Sequence, residues 1–380
     1  MVAAAAWSGA ALVGLGQAQA PARQVVKVHY TPKDQQAGRY QYVPFEVGPG
    51  ATRLDIEYRY DRKDGTNVVD LGLFEPGPLD LGTRAYRGWS GGERSRIQVG
   101  VAEATPGYWP GPLPEGRWHV MLGLYKVAEP GVDVEVLVDV SHDPAGPAPG
   151  LPSPPLEPVR SGPAWYAGAL HTHTLHSDGT LSARDLLVKA REEGLDFVAL
   201  TDHNNTVAQI EGVEAAGLLR IVGEEVTTPG GHFNVWGLGG SRDYVDFRVL
   251  AGDPAVERLV AGVRARGGLV SINHPAGSCF ACSWTHAVPE GVDALEISAE
   301  KPEEVAVAVA LWDQLLRAGR RIVGVGTSDW HRGQRPLGVP CVRAFAPALS
   351  TPAILEAIRG GRVIVMASPR LPPPSVTVRG

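Results

Sequence analysis

The fold turns on one stretch, Ala167–Asn204, which reads AGALHTHTLHSDGTLSARDLLVKAREEGLDFVALTDHN. Its middle is a helix by rule: Ser182 with Asp185 makes a capping-box-like start, Leu186, Leu187 and Ala190 share one face, and Gly194 stops it. Phe197–Thr201 follows as a continuous apolar run, the pattern of a buried strand. A strand before the helix and one after it make a β–α–β unit, and each strand ends in histidine: His171 and His173 on one, His203 after Asp202 on the other. An H-x-H pair in extended chain puts both imidazoles on one side, close enough to grip one metal ion.

The same texture continues downstream. Leu219–Val226, Phe233–Leu238, Leu269–Asn273, Ala294–Ser298 and Ile322–Val325 are strand candidates. Pro302–Arg317, ended by Gly319, and Thr351–Arg359, with Pro352 at the first helical position, are helices. Repeated βα units predict a parallel sheet, open or closed into a barrel, whose strand ends share one face where sites are built. Asn273-His274-Pro275 and Ser328-Asp329-Trp330-His331 fall at two more such ends. Eight of the 11 histidines lie after Trp165: His171, His173, His176, His203, His232, His274, His286 and His331. Imidazoles mixed with carboxylates suit Zn²⁺, Mn²⁺ or Fe, whereas Ca²⁺ and Mg²⁺ prefer oxygen. One ion takes about four ligands, so a set this large predicts two or three divalent ions.

Upstream, the pattern changes. Arg53–Tyr58 and Val132–Val140 alternate with period two between turns rich in Gly and Pro, as in Ala104–Trp118, ATPGYWPGPLPEGRW. This predicts an antiparallel β-sandwich over 21–142, without helices of useful length. Asp143–Pro155 is too rich in proline for helix or central strand, so 143–160 is read as a semi-rigid linker and 161–380 as the barrel. The opening MVAAAAWSGAALVGLGQAQAPA ends in small residues around Ala18-Gln19-Ala20, like a secretory signal over 1–20, although it lacks a charged front. Export to the periplasm or beyond is the expectation, with a cytoplasmic protein the alternative if that run is not a signal.

Composition narrows the function. The 380 residues carry 35 Lys and Arg against 41 Asp and Glu, with no basic run, which argues against a nucleic-acid polymer as partner. At 44% hydrophobic and 20% charged, the chain can bury a sizeable core, and no stretch predicts a stable membrane span. Three cysteines exclude a disulfide scaffold. Cys279 and Cys282 form a C-x-x-C that could be a disulfide, half a zinc site or two small buried residues.

With these motifs in view, Ala167–Asn204 resembles the opening of a PHP domain, the polymerase-and-histidinol-phosphatase fold. Gly223–Val226 (GEEV), Gly231–Leu238 (GHFNVWGL), Ile272–Pro275 (INHP), Ala294–Ile297 (ALEI) and Gly326–His331 (GTSDWH) follow in the family's order. The resemblance covers about Trp165 to Gly361 and implies a distorted (β/α)7 barrel with up to three metals. It implies that His171 and His173 hold one ion with Asp329, that Glu225 bridges to a second held by His232 and His274, and that His203 and His331 hold a third; at the remaining third-site position, where some members of the family place a histidine, this chain departs and offers Asp178, with His176 two residues earlier. Glu224 competes with Glu225, which the family pattern favours. Arg87–Arg94 (RGWSGGER) and Ala104–Trp118 are also similar to stretches of a carbaryl-hydrolase-like branch.

The expectation is a metal-dependent hydrolase of a small-molecule substrate, a phosphoesterase first and a carbamate, ester or amide hydrolase second. His286 is one candidate to protonate the leaving group, and Arg332, with Arg335, a candidate clamp for an anionic substrate; ordinary surface roles compete for each. Asp202 could orient an imidazole or cap a turn, and Glu296 could orient a ligand or simply face the barrel interior. Trp89, Trp109 and Trp118 could form a sugar platform, which would suit a metal-bearing glycan-binding protein, or pack in the core.

Overall fold

The computed structural model describes residues 23–150, 158–211, 217–238, 242, 244–279, 281–298, 301–333 and 335–373. The expected signal segment therefore lies outside the described residues, as does part of the expected linker.

The first half of the chain gives β1 (Gln24–Tyr30), α1 (Pro32–Ala37), β2 (Tyr40–Val47), β3 (Arg53–Tyr60), β4 (Val68–Phe74), β5 (Tyr86–Gly91), β6 (Arg96–Gly100), β7 (Gly116–Lys126) and β8 (Val132–Ser141). They form two four-stranded antiparallel sheets, ordered β1-β8-β3-β6 and β2-β7-β4-β5. Alternation is the cause: Leu54, Ile56 and Tyr58 of β3 turn inward while Asp55 and Glu57 stay at the wet face. They meet Val69, Leu71, Leu73, Trp118 and Val120 from the other sheet in one apolar core. Each buried aliphatic side chain there contributes about 1.5–3 kcal/mol. The short helix α1 was not expected. Thr31 and Asp34 cap it reciprocally and Pro32 opens it, a local signal too brief to show as helical periodicity.

The second half gives β9 (Arg160–Ala169), α2 (Ala183–Glu192), β10 (Phe197–Leu200), a 3₁₀ turn (Val207–Glu211), β11 (Leu219–Thr228), β12 (Gly231–Trp236), α3 (Ala255–Ala265), β13 (Leu269–Ile272), β14 (Ala294–Glu296), α4 (Pro302–Arg317), β15 (Val323–Val325), β16 (Cys341–Leu349), α5 (Thr351–Arg359) and β17 (Val363–Met366). The strands make one nine-stranded sheet, β15-β14-β13-β12-β11-β10-β9-β16-β17. It curls into a nearly closed barrel. The sheet is mixed rather than purely parallel, because β12 and β16 run against the other seven strands. Only Pro229 and Gly230 separate β11 from β12, and two residues can make a hairpin but not a helical crossover.

At one end the barrel closes on itself. Beyond the strand ends Thr172 bridges Trp330 in parallel. The His173 N–H donates to the Trp330 carbonyl at 2.9 Å and the Trp330 N–H to the His171 carbonyl at 3.3 Å. A second extension pairs His203 with Glu225. The mouth of the barrel is thus a ring of histidine-bearing strand extensions.

The sandwich leans on that mouth. Phe74, Tyr86, Trp89, Trp109 and Met121 share a core with Val226, Phe233, Val245 and Phe247 of the barrel. This accounts for β4 and β5, which are buried on both faces and show no alternation. Trp89, Trp109 and Trp118 are all buried, so none of them offers an exposed sugar platform. Among the described residues no helix is long and apolar enough to cross a membrane.

Candidate metal centre

Short connections put the polar side chains at the mouth. His171 and His173 lie just past β9, Asp178 in the turn that follows, His203 past β10, His274 past β13, and Asp329 and His331 past β15. Glu225 and His232 sit within β11 and β12, whose pairing places Thr227 opposite His232 and Glu225 opposite Asn234. His274 and Asp329 have positive φ, 23° and 45°, a region that non-glycine residues occupy at a cost and usually for a functional reason. The strained turns aim both side chains inward.

The ring nitrogens converge. His171 Nε2 and His173 Nε2 are 3.1 Å apart, and both face Asp329 Oδ1, at 3.1 and 3.0 Å. Glu225 Oε1 lies 3.1 Å from His274 Nε2 and 3.3 Å from His232 Nδ1, and its Oε2 lies 2.8 Å from His203 Nδ1. Asp178 Oδ1 lies 3.3 Å from His331 Nε2 and 3.7 Å from both His203 Nε2 and His173 Nδ1. Three of the resulting groupings, each with ligand atoms within 4.8 Å of one another, are His171-His274-Asp329, His203-Glu225-His232 and His173-Asp178-His203-His331. His203 belongs to two of them.

Several protons can be placed. His171 Nδ1–H donates to Glu296 Oε1 at 2.7 Å, leaving Nε2 to face the cluster. Ser177 Oγ donates to Asp202 Oδ1 at 2.6 Å, so it accepts from His173 Nδ1 at 3.2 Å and frees that ring's Nε2. His331 Nδ1–H is held by the Asp329 carbonyl at 2.8 Å. Against the effect of burial, Asp329, Glu225 and Glu296 raise His171 well above the ordinary imidazole range, so in the bare cluster a proton bridges its Nε2 to that of His173, in the place a metal cation would take. His232 Nδ1, His274 Nδ1 and Asp178 Oδ1 are moreover buried without a hydrogen-bond partner. The donor set fits divalent metal ions.

The electrostatics of the bare cluster agree with that fit. Burial alone would push the Glu225 and Asp329 carboxyls up, yet the imidazoles around them hold both well below the usual carboxylate range. His203, His331 and His173 do the same for Asp178. Burial, with His331 and His203 alongside, drives His173 down to about 4. At His274 burial is outweighed by the hydrogen bond to Glu225 and the nearby Asp329, and the ring is raised to about 9. Carboxylates kept ionised beside imidazoles give a site whose natural occupant is positive.

The remaining candidates divide. Glu296 is buried and doubly engaged, since it also accepts the His274 N–H at 2.7 Å; it orients two ligands at once. Asp202 accepts from Thr174 N, Thr174 Oγ1 and Ser177 Oγ, so it anchors the histidine loop and reaches His173 through Ser177. Glu224 turns away, its Oε1 accepting from the Val245 N–H at 2.9 Å. Asn273 was missed: its amide donates to Glu225 Oε1 at 2.8 Å, and its place beside His274 in INHP was the available signal. His176 points to the sandwich, taking the Gly107 N–H on Nδ1 at 3.0 Å and meeting Glu211 with Nε2 at 2.9 Å.

A cavity of about 550 Å³ opens over the cluster, lined by Asp178, His203, Glu225, His232, His274 and Asp329 together with Arg332 and Arg335. His286 does not line it among the described residues. That ring is buried against Gly230 and Thr228, 3.1 Å from Thr228 Oγ1, because the loop after INHP carries it away from the opening. The expectation of His286 as the rim acid is therefore corrected.

The sandwich grips the histidine loop directly. Arg94 donates to the Leu175 and Ser177 carbonyls at 2.7 and 3.2 Å. Gly107, at φ 91°, approaches so closely that a Cβ would lie 2.7 Å from the His176 carbonyl oxygen. Only glycine fits there. Trp89 sets its ring edgewise to His203, 6.5 Å between centroids.

The PHP domain model matches residues 169–239. The error-prone DNA polymerase of Cutibacterium acnes is 41% identical over 76 residues, 18% of this chain. The chain spans only 7% of that polymerase's length. Among solved structures, a two-domain protein from Bacteroides vulgatus containing a PHP-like metal-dependent phosphoesterase is 19% identical, with 58% of this chain and 70% of that one covered and a TM-score of 0.39. PsfC from Pseudomonas syringae is 16% identical, with coverage of 54% and 92% and a TM-score of 0.40. An amidohydrolase from Chromobacterium violaceum is 16% identical, with coverage of 53% and 98% and a TM-score of 0.34. The histidine-rich strand ends from His171 to His232 fall within the stretch that the PHP domain model matches.

Proposed function

We propose that the chain is a metal-dependent hydrolase of small phosphoesters. The observation that carries this reading is the joining, in one cavity, of a buried histidine–carboxylate cluster with two arginines at its wall. His171, His173, Asp178, His203, Glu225, His232, His274, Asp329 and His331 would hold two or three divalent ions. Ions so held would lower the pKa of a water and polarise the electrophile's oxygen.

The chain's own groups supply the rest. Glu296 and Asn273 keep His171, His274 and Glu225 in register. Arg332 and Arg335 offer guanidinium forks to the non-bridging oxygens of an anionic ester. The floor of the cavity is dry, Glu225 and His232 being buried, which strengthens the charges there. Among the described residues no acid apart from the cluster lines the cavity, so substrates whose leaving group departs as a stabilised anion, aryl phosphates for example, suit it. Export to the periplasm or beyond completes the proposal, to be checked by whether the secreted protein starts after Ala20.

The test is hydrolysis by purified protein loaded in turn with Zn²⁺, Mn²⁺ and Fe²⁺, against aryl phosphomono- and diesters, an aryl carbamate and an aryl ester. Metal-dependent turnover of the phosphoesters, with KM raised by Arg332→Ala, is expected. Turnover of carbamate or ester alone would replace the reading with carboxyl chemistry.

A further inference from the structure

The C-x-x-C pair stands at the same cavity, and the function proposed above does not use it. Cys279 and Cys282 form a disulfide, and both line the cavity. They are unequal. Cys279 is exposed, whereas Cys282 is 6% exposed and its Sγ lies with ligand atoms of His232 and His274 in a group within 4.8 Å of one another. The nitrogens His232 Nδ1 and His274 Nδ1 are the buried ones without hydrogen-bond partners. Gly277 lets the loop fold this tightly, for a Cβ there would meet Cys282 Cβ at 3.1 Å and His274 Nδ1 at 3.2 Å.

We propose that the Cys279–Cys282 pair is a redox-switched ligand of the metal centre: oxidised it leaves the His232–His274 ion one donor short, and reduced it supplies the Cys282 thiolate. The inference rests on the metal reading of the cluster. A disulfide sulfur is a poor donor, while a thiolate is among the strongest for Zn²⁺ and other borderline ions. The asymmetry of burial sets the direction of exchange. A dithiol reductant attacks the accessible Cys279 sulfur, forming a mixed disulfide and expelling the Cys282 thiolate beside the two imidazoles. The reductant's second thiol then closes its own disulfide and releases Cys279. The reductant loses two electrons and two protons; Cys279 keeps one proton as a thiol and the other leaves to solvent as Cys282 binds metal. The occupied ligand position is taken from the side facing the cavity, so the switch tunes both metal retention and the room left for substrate.

Cobalt(II) reports the bond without recourse to activity. The full chain, as isolated or reduced with a small dithiol that is then removed anaerobically, is titrated with Co²⁺ and followed by optical spectroscopy and metal analysis. Reduction is expected to bring a near-ultraviolet thiolate-to-cobalt charge-transfer band and to tighten one site roughly ten-fold. Cys279→Ser, which cannot form the disulfide, should show the band without reductant, and Cys282→Ser should never show it. Equal cobalt binding in both states with no band overturns the proposal and leaves the metal reading standing. No cobalt in either state takes down both. Should Cys282→Ser fail to fold, Cys279→Ser and the wild type decide the matter.

Discussion

The sandwich interior and the floor of the barrel mouth are buried to the same degree: Leu54, Ile56 and Trp118 have no exposed surface, and neither have His171 and His173, while Asp178, Asp329 and His331 stand partly open at the rim. Chemically they are opposites. In the sandwich the inward aliphatic side chains are satisfied by contact alone and each adds stability, while Tyr58 and Trp118 hand their polar hydrogens to the backbone carbonyls of Val69 and Pro114. At the mouth, imidazoles and carboxylates are held out of water with some of their atoms unpartnered, an arrangement that costs folding energy until a cation completes it. One dry region makes the fold stable; the other spends some of that stability to be poised for a ligand.

Mutations should separate the two. The largest effect is expected from His171→Ala with Asp329→Ala, which should remove bound metal and cut turnover by at least ~10³-fold, over 4 kcal/mol, while the thermal transition of the metal-free protein moves little. Metal analysis beside kinetics checks both halves. Next comes a charge buried on the outer face of the second sheet. Burial pushes the Asp70 carboxyl up to about 7, far above the ordinary aspartate range. The folded state therefore keeps its proton to higher pH than the unfolded chain does, and stability falls as pH rises from about 4 to 7, by up to ~4 kcal/mol. Denaturant titrations at several pH values should show that slope, flattened in Asp70→Asn. Third, Ile56→Ala should cost about 2–5 kcal/mol of stability and leave kcat and metal content unchanged below its melting range; a change in metal content would mean the regions are not separable. Smallest is Glu296→Gln, which keeps shape but weakens the hold on His171 and should lower metal affinity about 10–100-fold, read by competition with a chelator.

The same contrast explains what the sequence disclosed. Where one face is wet, as on β3, alternation is legible; where both faces are covered, as on β5, the packing partners are far away in the chain and leave no periodic mark. The histidine motifs were legible because strand ends are marked by their apolar runs. Glu296 could be named but its role stayed open between orienting a ligand and lining the barrel, and Asn273 was not named, since orienting a ligand depends on a contact 125 residues distant for His171 and Glu296. His286 shows the converse error: nearness in sequence to INHP did not keep it near in space. The reversed strand β12 was written in Pro229-Gly230, a turn signal outweighed by the repeated βα texture around it.

The seat that Gly107 makes for His176 has a consequence for how the molecule comes into being. The sandwich is translated first, so chain order lets the surface that receives residues 171–178 form ahead of them. The barrel's histidine loop is thus closed against a surface that the other half of the chain supplies. A gene fragment encoding the barrel alone would carry every metal ligand and none of the mould in which its histidine loop is cast.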